Sequence, residues 1–190
     1  MREDTEVASA YERRKDPVAV RRALLDCATS IAAREGVVAV TVAGVSTAAG
    51  VTKGALFHHF ANKQALVDAM VDELMSELDV ALDALMAADK VARGSFTRAY
   101  VQAALTMDDS TTRIWSALLG SLTTETDIAA RWHVWLAQRL LRHAETDADE
   151  SLHIVRLAAD GAWFACLSGG AASDTLYLDA LKARLIPMTL

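Results

Sequence analysis

Residues 41–63 of the chain have the sequence TVAGVSTAAGVTKGALFHHFANK, which predicts two short helices joined by a tight turn. Thr41 and Thr52 are each placed to cap a helix, because a threonine hydroxyl accepts a free backbone N–H of the first turn. Gly50 lies where the first helix should end, since glycine adopts the left-handed conformation of such an end at little cost. Asn62 caps a third helix. The arrangement is typical of a helix-turn-helix, whose second helix enters the major groove of DNA.

Apolar residues give each of the two helices one buried face. Val42, Val45 and Ala49 follow helical spacing in the first helix, and Leu56 and Phe60 lie four residues apart in the second. The side chains that this leaves facing outward or sideways on the second helix are Lys53, Ala55, Phe57, His58 and His59. An ordinary helical hairpin within a bundle is the alternative interpretation. Three capped elements within 23 residues favour the DNA-binding motif.

The composition fits an all-α protein of one or two domains. The chain has 190 residues, of which 53% are hydrophobic and only two are proline. It contains no run of about 18 uncharged apolar residues and no apolar signal segment at its N-terminus, so neither a membrane span nor secretion is predicted, and a cytoplasmic location is expected. Its two cysteines, Cys27 and Cys166, form no CxxC pair. We therefore predict no metal site, disulfide framework or cofactor.

Charge is distributed unevenly along the chain, which carries a net charge of −6. Residues 13–63 contain eight Lys and Arg against three Asp and Glu, a net charge of +5, whereas the rest contains 11 basic and 22 acidic residues. The positive segment coincides with the helix-turn-helix, where DNA phosphates would bind, and the remainder would repel DNA. Chance clustering of basic residues is the alternative explanation.

The chain is predicted to divide into three parts. Residues 1–15 form a mobile basic arm, which either reaches DNA or is a solvated tail. Residues 16–62 form the helix-turn-helix domain, and residues 63–190 form a helical domain for effector binding and dimerisation. Asp16 and Pro17 are typical of a helix start. About nine helices are predicted, over 17–35, 42–49, 53–60, 63–88, 96–107, 114–122, 127–143, 150–168 and 174–185, with a break at 108–110 and a polar link at 146–149.

The predicted helix over 150–168 is apolar on nearly all sides, so it must be covered on most of its surface. Small residues recur along it, and a flat face of this kind allows two helices to approach closely. We therefore predict that the last two helices pair with their copies as a four-helix bundle in a homodimer. An interior helix of a monomer is the alternative. The predicted interface residues are Leu152, Ala158, Ala162, Ala165 and Gly169.

Residues 17–70 resemble the tetracycline-repressor (TetR) family of bacterial transcription regulators. The resemblance is carried by Thr41-Val42, Val45, Ala49-Gly50-Val51-Thr52-Lys53-Gly54, Leu56-Phe57, His59-Phe60, Asn62-Lys63 and Ala65-Leu66. It implies an N-terminal DNA-binding domain of three helices and a larger domain for ligand binding and dimerisation. It also implies a repressor that a small molecule releases from double-stranded operator DNA with palindromic half-sites.

By position within the family motif, Lys53 and Gly54 are expected at base edges. The residues expected along the phosphate backbone are Thr41, Thr52, Phe57, His59 and Lys63, and Ala55 and His58 complete the predicted DNA-binding set. The sequence departs from the family at position 57, where Phe57 lacks the hydroxyl of the usual tyrosine. Ala55 offers only a methyl group, for contact with a thymine, where the family often has threonine or serine. Ser46 replaces the usual alanine.

Aromatic residues concentrate in the second half of the chain, which contains all four tryptophans. Helical bundles bind ligands between facing helices, in pockets with apolar walls and few polar groups. The predicted pocket residues are Tyr100, Trp115, Trp132, Trp135 and Trp163, with Tyr100, Arg113, His133 and Asp160 as candidate polar anchors. The alternative is that most of these tryptophans belong to the core or an interface. The regular spacing of His133, His143 and His153 does not predict a metal site.

The predicted function is that of a transcriptional repressor released by a small apolar or aromatic effector. The helix that begins at Lys63 is expected to move when the effector binds, so that two recognition helices no longer match successive major grooves. A regulator that needs no ligand, an activator, and a helical carrier that does not bind DNA are the alternatives. An enzyme is not predicted, because the sequence has no nucleophile elbow, phosphate loop or HExxH motif.

Overall fold

The computed structural model describes residues 16–106, 109–122, 126–167 and 175–190, so the predicted arm over 1–15 lies outside the described residues. Ten α-helices and no strand occur among the residues described, which confirms the all-α prediction. The helices are α1 Pro17–Glu35, α2 Val42–Ala48, α3 Lys53–His59, α4 Lys63–Ala88, α5 Ser95–Leu105, α6 Asp109–Leu122, α7 Thr126–Arg142, α8 Ala144–Asp147, α9 Glu150–Leu167 and α10 Thr175–Leu185. Two short 3-10 turns, Val37–Ala39 and Ile186–Thr189, complete them.

Helix α1 begins and ends where the sequence predicts. The Asp16 carboxylate accepts hydrogen bonds from the Val18 N–H at 2.9 Å and the Ala19 N–H at 3.2 Å, and Pro17 occupies the first turn. Gly36 follows the last residue of the helix with a φ of +84°, a backbone conformation that residues other than glycine rarely adopt. Capping at both ends therefore fixes the length of the first helix.

The chain divides into two compact units, with the division between Asp72 and Glu73, inside α4. In the N-terminal unit, α1 packs against α2 and α3. The core of this unit is apolar and almost closed to solvent, and its fully buried side chains include Leu24, Val45, Leu56, Leu66 and Met70. Burial of these apolar side chains is the main favourable contribution to the folding free energy of the unit.

Helix α5 is the centre of the C-terminal unit, where it packs against α8, α9 and α10. Most of its residues are buried, including Phe96, Thr97, Arg98 and Val101. Two predictions for this unit are wrong. Helix α6 begins at Asp109 rather than at residue 114, because Asp, Ser and Thr favour helix starts as well as loops. The predicted polar link contains the one-turn helix α8, whose Asp147 is only 2% exposed.

No helix among the described ranges is both long enough and apolar enough to span a bilayer.

Ser46, in the middle of α2, is buried, and its hydroxyl finds no hydrogen-bond partner among the described residues. A buried polar group without a partner costs free energy, so we expect Ser46→Ala to raise the free energy of unfolding by about 1 kcal/mol. The measurement is urea unfolding. Ser76→Ala, at an exposed position of α4, is the control for helix propensity alone. An equal gain in both variants would contradict the explanation.

Candidate nucleic-acid interface and effector cavity

Two threonine caps and one glycine shape the α2–turn–α3 segment. The Thr41 hydroxyl accepts a hydrogen bond from the Gly44 N–H, and the Thr52 hydroxyl accepts one from the Ala55 N–H, each at 3.1 Å. Gly50 occupies the turn with a φ of +66°. The predicted helix-turn-helix geometry is therefore confirmed at Thr41, Gly50 and Thr52. Each threonine hydroxyl still has its own hydrogen to donate to an acceptor outside the protein.

Helix α3 has one buried side and one exposed side. Leu56 and the following Phe60 are buried in the N-terminal unit. Of the nine predicted DNA-binding residues, Ala55 and His59 are half-buried and the other seven are exposed, namely Thr41, Thr52, Lys53, Gly54, Phe57, His58 and Lys63. The Phe57 ring is 50% exposed.

Three basic side chains of the N-terminal unit differ in the contacts that they make. Lys63 donates a hydrogen bond from Nζ to the Val38 carbonyl at 3.2 Å, which fixes its position and leaves two further N–H groups. Lys53 has no ion-pair partner among the residues described. The Arg21 guanidinium lies over the Phe60 ring, 4.8 Å from its centroid. Sequence reasoning missed Arg21, although it belongs to the basic segment.

Gly54, which has no side chain, lies on the exposed side of α3. A Cβ built on it would meet only the Thr52 hydroxyl, at an ordinary 3.8 Å. The fold itself therefore does not require glycine here, and its backbone is open to close approach from outside.

In the C-terminal unit, three tryptophans from three helices form a cluster that we call the tryptophan box: Trp115, Trp132 and Trp163. The Trp132 and Trp163 rings are nearly parallel, with an interplanar angle of 6° and centroids 6.4 Å apart. Trp115 stands edge-on to both, at 5.8 Å from Trp132 and 6.2 Å from Trp163. Three walls of aromatic surface thus meet at one place.

Two neighbouring cavities meet at this box. The box cavity has a volume of about 20 Å³, enough for a single water, and its lining consists of Leu78, Tyr100, Ala103, Ala104, Trp115, Trp132, Asp160 and Trp163. The side chamber has a volume of about 320 Å³, and its lining consists of Leu74, Glu77, Leu78, Ala81, Ala103, Thr106, Thr111, Ile114 and Trp115. Leu78, Ala103 and Trp115 belong to both linings. The larger volume is in the range of small-molecule sites.

A hydrogen-bonded pair supplies the polar groups of the box cavity. The Tyr100 hydroxyl donates to the Asp160 carboxylate at 2.5 Å. Burial and the neighbouring carboxylate raise the pKa of Tyr100 well above its usual value, so the hydroxyl remains a neutral donor. Burial also raises the pKa of Asp160, against the opposing effects of the Tyr100 hydrogen bond and the Arg156 charge. The Trp163 indole N–H is buried and finds no acceptor among the described residues.

Two family models match the sequence. The model of the bacterial regulatory proteins of the tetR family matches residues 24–70, and that of the tetracyclin repressor-like C-terminal domain matches residues 94–190, just over half of the chain. The chain belongs to the TetR family. The first match ends before the division inside α4, and the second begins after it.

Curated relatives match a segment of 51 residues of this TetR protein. The HTH-type transcriptional repressor KstR2 of Rhodococcus jostii is 41% identical over 51 residues, which are 27% of this chain and 25% of the relative. KstR2 of Mycobacterium tuberculosis is 39% identical over a segment of the same length. The chain thus matches about a quarter of the length of these relatives.

Solved structures share most of the fold at low sequence identity. A TetR-family transcriptional regulator from Streptomyces coelicolor has a TM-score of 0.72 at 18% identity, covering 95% of this chain and 93% of its own. A transcriptional regulator from Rhodococcus sp. Rha1 has a TM-score of 0.71 at 20% identity, covering 90% and 95%. The multidrug binding protein EbrR, complexed with malachite green, has a TM-score of 0.68 at 16% identity, covering 90% and 98%.

Among the residues predicted for the effector pocket of this TetR protein, Trp135 is misplaced. It lies three residues after Trp132 and its ring contacts that of Trp132, at 4.9 Å between centroids. Its indole N–H, however, donates to Asp79 on α4 at 2.8 Å, and the residue lines neither cavity. The candidate anchors Arg113 and His133 are exposed and also line neither cavity. Leu78 was not predicted to line a pocket, although it lies four residues from both Leu74 and Leu82 on α4.

The predicted dimer interface also needs correction. Leu152 and Ala162 are buried inside their own chain, where α9 packs against α5, so they have no surface to offer a partner. Ala158 is exposed, Ala165 is half-buried, and Gly169 lies outside the described residues. The apolar side chains that α9 does expose, each to about half of its surface, are Ile154, Leu157 and Phe164.

Proposed function

We propose that this TetR protein is a transcriptional repressor that binds double-stranded operator DNA and is released from it by a small apolar or aromatic effector. The observation that carries the proposal is the exposed side of α3, where Lys53, Gly54 and Phe57 stand free of the protein core. A short helix with a buried face, a capped start and an exposed cation on its open face fits the major groove. Lys53 has the donors to read a guanine edge.

A homodimer would present two such helices to DNA. The exposed apolar side chains of α9, together with Leu176 and Tyr177 of α10, support pairing with a second copy, since a soluble monomer rarely leaves such a stripe open. In a two-fold dimer the half-sites are read one helical turn apart, about 34–36 Å. The operator would therefore be palindromic.

Helix α4 links the two halves of the proposed mechanism. It begins at Lys63, which belongs to the DNA-binding set, and continues unbroken to Ala88. Its Leu78 lines both cavities. An effector that binds more tightly to a conformation with a shifted α4 would shift the population away from the DNA-binding form. EbrR, a neighbour in fold, was solved complexed with malachite green, which supports a small-molecule effector.

Helix α7 is tied to α4 next to the tryptophan box. The buried Arg139 guanidinium contacts Asp79 at 2.5 Å and Asp83 at 2.6 Å. Trp135 donates to the same Asp79, and its ring touches Trp132 of the box. A displacement of Trp132 by an effector would therefore disturb a contact made by α4.

Footprinting on the DNA that flanks the chain's own gene tests the repressor proposal, because regulators of this type often control a neighbouring gene. We expect a protected palindrome of two half-sites about 10 base pairs apart, or a multiple of that spacing. Binding of the purified chain to every fragment with equal affinity, or to none at low salt, would contradict a sequence-specific regulator.

Lys63 is expected to act as a contact to a phosphate rather than to a base. We expect Lys63→Ala to weaken binding to operator and unrelated DNA alike and to lower the slope of log K against log salt by about one. The measurement is fluorescence anisotropy over a range of salt concentrations. Lys90→Ala removes an exposed charge in the C-terminal unit and is the control. An unchanged slope in Lys63→Ala would exclude the contact.

A further inference from the structure

The box cavity and the side chamber each have an acidic side chain in the lining and, among the described lining residues, no basic one. Asp160 lines the box cavity and Glu77 lines the side chamber. We propose that the effector is a hydrophobic organic cation, with an alkylated ammonium group held in the tryptophan box against Asp160. This inference rests on the proposed function insofar as it names the class of the effector.

The tryptophan box offers a cation the surface that it prefers. The face of an indole ring carries negative electrostatic potential and attracts alkylated ammonium groups, most strongly where water is excluded. Here Trp132 and Trp163 are parallel and Trp115 stands edge-on to both. A neutral ligand would gain apolar contact from the same rings but no electrostatic attraction.

Local charges leave Asp160 without a cation in direct contact. The nearest guanidinium, that of Arg156, donates to the Thr97 hydroxyl at 2.6 Å and to the Asp147 carbonyl at 3.3 Å. The Asp147 carboxylate lies in the same buried network, so one guanidinium faces two carboxylates. His153, whose charge also reaches Asp160, is exposed. Within the described residues the only hydrogen bond to Asp160 comes from Tyr100. A partly buried carboxylate is stabilised by a counter-charge, which a cationic ligand supplies.

The size of the cavities indicates how the ligand would lie. A trimethylammonium group is larger than the box cavity of about 20 Å³, so the lining must rearrange when it binds. Trp132 and Trp163 belong to that lining and are half-buried. The side chamber of about 320 Å³ shares Leu78, Ala103 and Trp115 with the box, and it has room for an apolar tail. Binding should therefore change tryptophan fluorescence.

The test compares two probes of the same shape on the full chain without DNA: benzyltrimethylammonium and its uncharged isostere neopentylbenzene. Titrations followed by tryptophan fluorescence and by calorimetry give both dissociation constants. We expect the cation to bind at least about tenfold more tightly, as a desolvated cation–π contact beside a carboxylate implies. Equal or tighter binding of neopentylbenzene, or no binding of either probe at its highest soluble concentration, would overturn the inference.

Asp160→Asn keeps the shape of the side chain and an oxygen for the Tyr100 hydroxyl, but removes the charge. We expect this variant to lose the preference for the cation and to bind the neutral probe as before. Glu150→Gln, an equal charge change at an exposed site of the same helix, should keep the preference. A cation preference that survives in Asp160→Asn would overturn the role of Asp160. If Asp160→Asn does not fold, the ratio between the two probes in the unchanged protein still decides the class of ligand.

The DNA-binding proposal stands or falls separately. If the chain binds an operator specifically but does not bind the cation, the repressor proposal holds and the cationic effector is excluded. If the chain binds the cation but binds no DNA, the cation site holds and the repressor proposal is excluded.

Discussion

Replacing Asp147 with alanine is expected to lower the free energy of unfolding by about 3–5 kcal/mol, because it removes the acceptor from a buried polar network and leaves charge behind. The carboxylate of this residue on α8 accepts hydrogen bonds from the Thr97 N–H at 2.8 Å and from the Thr97 hydroxyl at 2.6 Å. It also accepts from the Phe96 N–H and the Thr146 hydroxyl. Two of these donors are free N–H groups of the first turn of α5, so the carboxylate caps that helix from outside.

The buried Arg156 makes the loss larger. Its guanidinium donates to the Thr97 hydroxyl, which itself donates to Asp147, so removal of the carboxylate leaves a buried positive charge with Asp160 as the remaining nearby carboxylate. Urea unfolding of Asp147→Ala measures the effect. The control is Glu145→Ala, which removes an exposed carboxylate two residues away on the same short helix and should change stability by less than about 0.5 kcal/mol. Similar small losses in both variants would show that the network contributes little.

The difference between Asp147 and the helix caps shows which parts of this fold are predictable. Asp16, Thr41, Thr52 and Asn62 each accept a hydrogen bond from a backbone N–H two or three residues further on. Such bonds depend only on local sequence, so the helix starts of the N-terminal unit follow from residue types alone. The partners of Asp147 at Phe96 and Thr97 are about fifty residues away. Nothing local distinguishes this aspartate from a solvated one in a polar link.

The lining of the box cavity was predictable only in part, for the same reason. Composition and helical spacing place several tryptophans in the C-terminal unit, and Tyr100, Trp115, Trp132, Trp163 and the anchor Asp160 do line the box cavity. The role of Trp135 depends on the approach of α7 to α4, which puts Asp79 within reach of its indole N–H. Likewise, the burial of Leu152 and Ala162 depends on which side of an apolar helix faces α5. These choices belong to tertiary packing, for which the sequence contains no local signal.

Gly54→Leu is expected to have opposite effects on DNA binding and on stability. A Cβ at this exposed position meets nothing closer than 3.8 Å, so the protein accepts a Cβ here without a clash. Leucine is the better helix former, so the free energy of unfolding should stay unchanged or rise by up to about 1 kcal/mol. Operator affinity should fall roughly 100-fold or more, since the leucine would hold α3 away from the groove floor and cost the base contact of Lys53, worth about 1–3 kcal/mol, as well as neighbouring phosphate contacts.

Anisotropy titrations on the footprinted operator and urea unfolding measure the two effects on the same preparation. Ala84→Leu adds a leucine at an exposed position of α4 in the C-terminal unit, and it should leave operator affinity unchanged. Lys53→Ala removes the donor that we propose reads a base, and it adds no bulk. We expect it to relax sequence preference more than it weakens binding to unrelated DNA. If Gly54→Leu binds the operator within about threefold of the unchanged protein, a difference below 1 kcal/mol, α3 does not approach DNA through this face. In that case the glycine would have a role in neither the fold nor the interface, and the free lysine beside it would need another explanation.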